Sequence, residues 1–362
     1  MKLKLQQGDP VEPHQDHGFF GPDSVTWKVW IYPTSLTVGF QRAVVVEELD
    51  PNLIAAVDQS GGVRARTRSR YDRTLRYFAL VAFGDSEKTI KAADVLVKIH
   101  AKAVGTEPLS GNRFDANDPQ SQLWIHLTAW HSILYAYERY GPGPLSAAEE
   151  ERYWEECAIA AELQTCDPAD VPRTRQGVRE YFAAMRPRLA GSEAAQSMMD
   201  FLLDADRILP QLPSPARPGA WLAARALRAA TIATMPRWMR KMGGLRQSRV
   251  TDALIAPLMR GAFRLATIDP RLELRLLKVL SPSTVFVVAP VLLGVPPRRA
   301  ETLTPAAARE RHGILPPRAE YARFRAAVAA KLAAREDAAL TDAAVVDAAK
   351  ADEFEAVLGP VG

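Results

Sequence analysis

The run RYDRTLRYFALVAFGDSEKTIKAADVLVKIHAKAVG, residues 70–105, writes two helices on either side of the corner FGDS. On the first, Arg70, Arg73, Thr74 and Tyr77 recur at i, i+3, i+4 and i+7, so the four share one face. The second carries a single histidine, His100, with Ala93, Leu96, Val97, Ala103 and Val104 three, four or seven positions away, so its face is otherwise apolar. An imidazole in such a wall needs a partner inside the protein. It is either a hydrogen-bonded core residue or the lone protein ligand of a cofactor, with the cationic face of the preceding helix close by in sequence.

Outward from this pair, the chain keeps a helical rhythm. Helical patterns cover Leu36–Leu49, Pro51–Gln59, Pro119–Tyr140, Thr174–Met185, Ser192–Arg207, Pro218–Met235, Pro236–Met242, Ser248–Thr267, Pro270–Val279 and Thr304–Arg311. Asp50-Pro51 and Asp118-Pro119 each supply an N-cap followed by a first-turn proline, and Ser146 with Glu149 writes a capping box. Gly84 is a natural stop for the Arg70 helix and Ser86 a cap for the His100 helix. Residues 106–117, TEPLSGNRFDAN, read as a loop. No strand alternation or repeat persists, so the fold expected is mainly α. Residues 1–20 read as a flexible arm with surface histidines His14 and His17, residues 21–208 as a helical core, 209–317 as a basic helical part packed on it, and 318–362 as alanine-rich C-terminal helices broken near Asp337–Thr341.

The 362 residues are 48% hydrophobic and 24% charged, with a net charge of +4. Two cysteines, Cys157 and Cys166, exclude a disulfide framework and a Cys/His metal cluster, and suit a reducing cytoplasm. No apolar leader opens the chain. The longest apolar run, Val279–Val295, is broken by Pro282 and Pro290 and reads as buried core rather than a bilayer span. Between Arg217 and Arg264 there are about ten Lys/Arg and one acid, Asp252, interleaved with Trp221, Met235, Trp238, Met239 and Met242. This is a solvated basic face or a peripheral membrane contact. No nucleic-acid-binding motif accompanies it.

Motifs for dinucleotide, P-loop, serine-hydrolase, zincin and di-iron chemistry are absent from the sequence. His126 and His131 lie on one helix about 140° apart and cannot meet one ion unaided. His126, near Gln122 and Trp130, either lines a pocket or satisfies a core hydrogen bond, and His312 reads as surface. A haem iron is the cofactor that asks for one histidine, an apolar chamber and cations for its propionates, which Arg70 and Arg73 could supply.

RYDRT, FGD and VLVKIHAKAVG, with GPDSVTWKVW, GFQRAVVVEELDP, FDANDPQSQLWIHLTAWHSILYAYERYG and YWEECAIAAEL, together resemble the rubber oxygenase/MpaB oxygenase family over roughly residues 20–187. The resemblance implies a globin-like helical bundle that binds haem b without covalent attachment, with additional C-terminal helices. It implies His100 as iron ligand; Arg70, Tyr77 and His126 are the further candidates for contacting the cofactor. The family's Arg-x-x-Lys-Thr run falls on Arg70, Arg73 and Thr74, so an arginine stands at the lysine position. A guanidinium stays protonated and cannot cap the iron. The nearest candidates for the family's distal glutamate base are Glu47 and Glu48. A haem b-dependent oxygenase taking dioxygen and a hydrophobic, isoprenoid-like or otherwise unsaturated molecule is the reading so implied. The alternatives are another haem protein, peroxidase-like or a sensor, and a cofactor-free helical binding module.

Overall fold

The computed structural model describes residues 11–210, 213–331 and 333–334. The chain is mainly α. The helices in order are α1 (Val25–Trp30), α2 (Phe40–Glu47), α3 (Pro51–Ser60), the single turn α4 (Gly62–Ala65), α5 (Thr67–Phe83), α6 (Ser86–His100), α7 (Pro119–Tyr140) and α8 (Ala147–Ala161). They continue with α9 (Arg175–Met185), α10 (Glu193–Leu202), α11 (Arg217–Thr234), α12 (Arg237–Met242), α13 (Arg249–Ala266), α14 (Pro270–Leu280), α15 (Pro282–Leu292) and α16 (Pro305–His312). Residues 317–331 are also helical. The second half of the expected alanine-rich tail, with its break near Asp337–Thr341, lies outside the described residues.

The segment read as a loop after His100 instead forms a short antiparallel hairpin, β1 (Val104–Thr106) with β2 (Arg113–Asp115), Gly105 facing Phe114. Three-residue strands are too short to leave an alternating pattern. A Cβ on Gly105 would lie 2.5 Å from Gln59 Oε1 and 2.8 Å from the Phe114 ring, so glycine lets the hairpin close on α3.

Local chemistry starts the long helices where expected. Asp50 accepts from Asn52 and Leu53 N–H ahead of α3, Asp118 from Gln120 and Ser121 N–H ahead of α7, and the Ser146–Glu149 capping box opens α8. α7 is the central element. Leu123, Leu127, Trp130, Ile133, Leu134 and Tyr137 all enter the main core, where Trp130 sits 5.1 Å from the Trp30 ring and 5.0 Å from that of Tyr153. α15 packs along α5, burying Val285, Val287 and Val288 as the sequence leads one to expect. Its first turn is pinned by Asp72 of α5, whose Oδ1 accepts from Ser281 Oγ at 2.6 Å and Ser283 N at 3.2 Å.

The corner between α5 and α6 is built differently from its sequence reading. The N-cap is Asp85, whose carboxylate accepts from Lys88 N; Ser86 is the first helical residue. Ser86 gives its N–H (2.7 Å) and Oγ–H (2.6 Å) to the buried carboxylate of Asp16, which also accepts from Gly18 N at 2.9 Å. Gly18, at φ +69°, touches the corner, and a Cβ there would lie 2.1 Å from Gly84 O. Residues 11–20 are therefore packed into the fold, against the expectation of a free arm. His14, expected at the surface, is 8% exposed and bonds Val287 O through Nε2 at 2.9 Å. One carboxylate with three donors is the reason, and two of them come from Ser86, 70 positions along the chain. His17 and His312 are part-exposed.

Replacing Asp16 with Ala leaves the Ser86 hydroxyl and two N–H groups without their acceptor in a buried corner, which should cost about 3 kcal/mol. Urea unfolding of Asp16→Ala against the parent measures it.

Candidate functional site

α5 and α6 share the corner at Gly84–Asp85 and carry Arg70 and His100 at comparable distances along their two arms, about 20 Å from it at 1.5 Å per residue. His100 is the last residue of α6 and is part-buried; Val97 and Ala93, one and two turns back, are buried. Its Nδ1 lies 3.3 Å from Gln122 Nε2, held in turn by Ala116 O at 2.6 Å. Gln122 is on the first turn of α7. The imidazole Nε2 makes no hydrogen bond among the described residues. Burial, reinforced by the nearby charge of Arg70, pushes the His100 pKa down to about 4, so the ring is neutral at pH 7.

Arg70 is part-buried, and desolvation and the neighbouring Arg73 and Arg66 lower its pKa while Glu48 opposes this. Glu48, at the end of α2, is 4% exposed and its Oε2 has no partner. Its pKa is well above the carboxylate range because it is buried and beside Glu47, with Arg70 pulling the other way. Glu47 turns to α7, where Thr128 Oγ1 donates to it at 3.4 Å, and burial raises its pKa to about 8. Glu48, Arg70 and His100 thus form a continuous electrostatic neighbourhood contributed by three helices. Of the two acids, Glu48 is the one coupled to it.

The remaining expected residues divide. Tyr77 is part-buried with its hydroxyl sealed from solvent and unpartnered. Arg73 and Thr74 are exposed; the Arg73 Nε folds back on Ser69 O at 3.1 Å. His126 does not line the site. Its Nε2 lies 2.7 Å from Cys157 O and its Nδ1 3.0 Å from Gln164 Nε2, so both ring nitrogens are engaged in the core. His131 likewise sits beside Arg42, 3.3 Å from its Nη1.

Arg309 is a group that sequence reading missed. It lies on α16, 6% exposed, with Nη1 donating to Leu315 O at 2.6 Å and with Nε and Nη2 unpartnered. Its charge is felt by Tyr77 on α5 and by Glu162. In sequence it is one of three closely spaced cations in ARERH and nothing marks it as inward.

Among the described residues there is no group of three or more His, Cys, Asp or Glu side chains able to hold a metal ion. Two surface clefts, of about 210 Å³ beside Asp200 and Arg228 and about 380 Å³ beside Glu151 and Glu155, include none of the site residues. The first is filled with paired charge, Arg228 binding Asp200 at 2.6 Å. His100 is a neutral imidazole whose Nε2 makes no hydrogen bond among the described residues. Glu48 Oε2, Tyr77 OH and Arg309 Nε and Nη2 are buried without partners, Glu48 within the influence of Arg70 and Tyr77 within that of Arg309. The residues fit a one-histidine prosthetic group bearing anionic substituents.

A helical protein with one such histidine facing an arginine and a buried acid is the class that fold and site define. The family model described as "ER-bound oxygenase mpaB/B'/Rubber oxygenase, catalytic domain" matches residues 27–268, and the chain belongs to that oxygenase family. No curated protein and no solved structure matches it. The matched range contains Glu48, Arg70, Tyr77, His100 and Gln122 and leaves Arg309 outside.

Because Glu47 binds its proton more tightly folded than unfolded, its contribution to stability is full below about pH 4.5 and is lost as pH rises toward 8. Glu47→Gln should therefore gain on the parent between about pH 5 and pH 8 in urea unfolding, level off above, and remain parallel to it below pH 4.5.

Proposed function

We propose that the chain is a haem b-dependent oxygenase acting on a hydrophobic, unsaturated small molecule. The observation that carries this reading is His100, a neutral imidazole with an unused Nε2, placed beside Arg70 and a partnerless buried acid within a domain of an oxygenase family. His100 would hold the iron through Nε2. Bound haem supplies the activation of dioxygen that no side chain here can perform.

The protein's own residues have separable tasks. The Gln122 amide fixes the ring plane of His100 through Nδ1. Ligation through Nε2 asks for the proton on Nδ1, so haem binding requires the Gln122 side chain to leave Ala116 O, to which its nitrogen donates, and turn its oxygen to Nδ1. Arg70 sits where it can donate to a partly anionic oxygen atom in a desolvated setting, where such a bond is strong. Glu48, its pKa raised by burial and by Glu47 and moderated by Arg70, is an acid–base group that can exchange a proton with a neighbour. Arg309 and the Tyr77 hydroxyl would take the anionic substituents of the cofactor, which explains why their polar atoms are buried without partners. Arg73, bonded to its own helix turn, has no inward task in this arrangement.

Purified protein reconstituted with haem should show a Soret band, and His100→Ala should lose it while keeping the parent's helical circular-dichroism spectrum. A missing band in the parent, or an unchanged band in His100→Ala, would sink the assignment. Arg309→Gln should retain the band and release haem to apomyoglobin about tenfold faster, a buried charge-assisted contact being worth about 1.5–3 kcal/mol. Oxygen uptake on adding an unsaturated lipid distinguishes an oxygenase from a haem sensor.

A further inference from the structure

The basic C-terminal part carries an apolar face that its sequence did not locate. Met235 and Met239, read with the basic run, are buried against Val45, Val46 and Trp124, and the Trp238 ring lies under the Arg186 guanidinium at 4.9 Å. What projects into solvent is a different set. On α13, Val250, Leu254, Leu258 and Leu265 are 59–67% exposed. At 100° per residue they fall within an arc of about 80°, opposite the arc of Ile255, Met259 and Phe263 that enters the core. α13 is therefore apolar on two faces, of which folding buries one. Ile268 follows at 73% exposed, and Leu272 and Leu276, one turn apart on α14, continue the exposed set.

The charges around this face are of one sign. Arg249, Arg260 and Arg264 of α13 and Arg271 and Arg275 of α14 are exposed. The acids in the same stretch are occupied or withdrawn. Asp252 binds Arg240 Nη1 and Gln247 Nε2, each at 2.7 Å; Asp269 caps α14; and Glu273 is part-buried. Leucine and isoleucine side chains flanked by arginine are the composition of a helix lying in the plane of a membrane interface. A second copy of the chain would set the same arginines against each other across a two-fold axis. No helix among the described residues is long and apolar enough to cross a membrane, so the contact is peripheral.

We infer that α13 and α14 form a docking face for an anionic lipid bilayer. The inference is independent of the haem assignment. It has a structural consequence, since the residue after α14, Ser281, is bonded to Asp72 of α5, the helix that carries Arg70. The docked face and the candidate site are thus joined through one rigid contact.

The test is co-sedimentation of the full chain with phosphatidylglycerol–phosphatidylcholine vesicles and with phosphatidylcholine vesicles alone. Binding to the first, weakened by salt and small with the second, is expected. Leu258→Glu combined with Leu265→Glu, and separately Arg264→Glu combined with Arg275→Glu, should each weaken it about tenfold or more with the melting temperature unchanged. Failure to bind anionic vesicles at low salt overturns the inference, as does binding unaffected by both double variants. A concentration-dependent dimer that the leucine variant abolishes, without vesicle binding, assigns the face to a second copy and also overturns it.

Discussion

The architecture depends on a corner of three residues. Gly84, Asp85 and Ser86 must reverse the chain between α5 and α6 while buried, and every polar group there needs a partner. Burial works against an ionised Asp85, but hydrogen bonds from His14 and Lys88 outweigh it and hold its carboxyl below the usual range. Asp16 supplies the other acceptor, drawing residues 11–20 onto the fold. With the corner fixed, two arms of similar length place Arg70 and His100 at the same distance from it. The angle between the arms therefore governs the site, and α15, bonded to Asp72, holds one arm from outside.

Within the site, desolvation is the leading influence on almost every titratable group. It keeps His100 neutral and Glu47 protonated at neutral pH, and raises the Glu48 pKa well above the carboxylate range. Coulombic neighbours then differentiate them: Arg70 deepens the shift of His100 and moderates that of Glu48, whereas Glu47 is moderated only by Thr128. Two adjacent glutamates so acquire different surroundings, one tied to the core helix α7 and one facing the arginine. The unpartnered polar atoms of Glu48, Tyr77 and Arg309 are costly where they are buried, a cost that a bound group with its own donors and acceptors would offset.

The matched family domain ends at residue 268, yet the chain beyond it is integral to the fold. α15 enters the main core, Arg309 reaches the neighbourhood of Tyr77, and residue Tyr321 bonds Asp115 of the hairpin. Helices past the matched domain thus close the side of the protein on which His100 lies, and α14 contributes to the exposed apolar face. Catalytic core and C-terminal additions divide in sequence but share one set of contacts.

The sequence by itself determined the helical class, because 3.6-residue periodicity and Asp-Pro, Ser and Gly punctuation are local and survive in any context. It also singled out His100 and Arg70, since a lone polar group on an apolar face and a cationic stripe are visible within one helix. Tertiary structure alone decided the rest. Whether Glu47 or Glu48 meets Arg70 depends on how α2 ends against α7. His126 proved to be a core residue because Cys157 O and Gln164, more than 30 positions away, take its nitrogens. The exposed Leu254, Leu258 and Leu265 of α13 are as apolar as its buried Ile255, Met259 and Phe263; which arc is covered is decided by the neighbours α7 and α11. Asp16 and Arg309 are not marked as inward by their sequence neighbours, because Ser86, which Asp16 binds, and Tyr77, which feels the charge of Arg309, lie in other elements, and only folding brings a charge to the place that needs it.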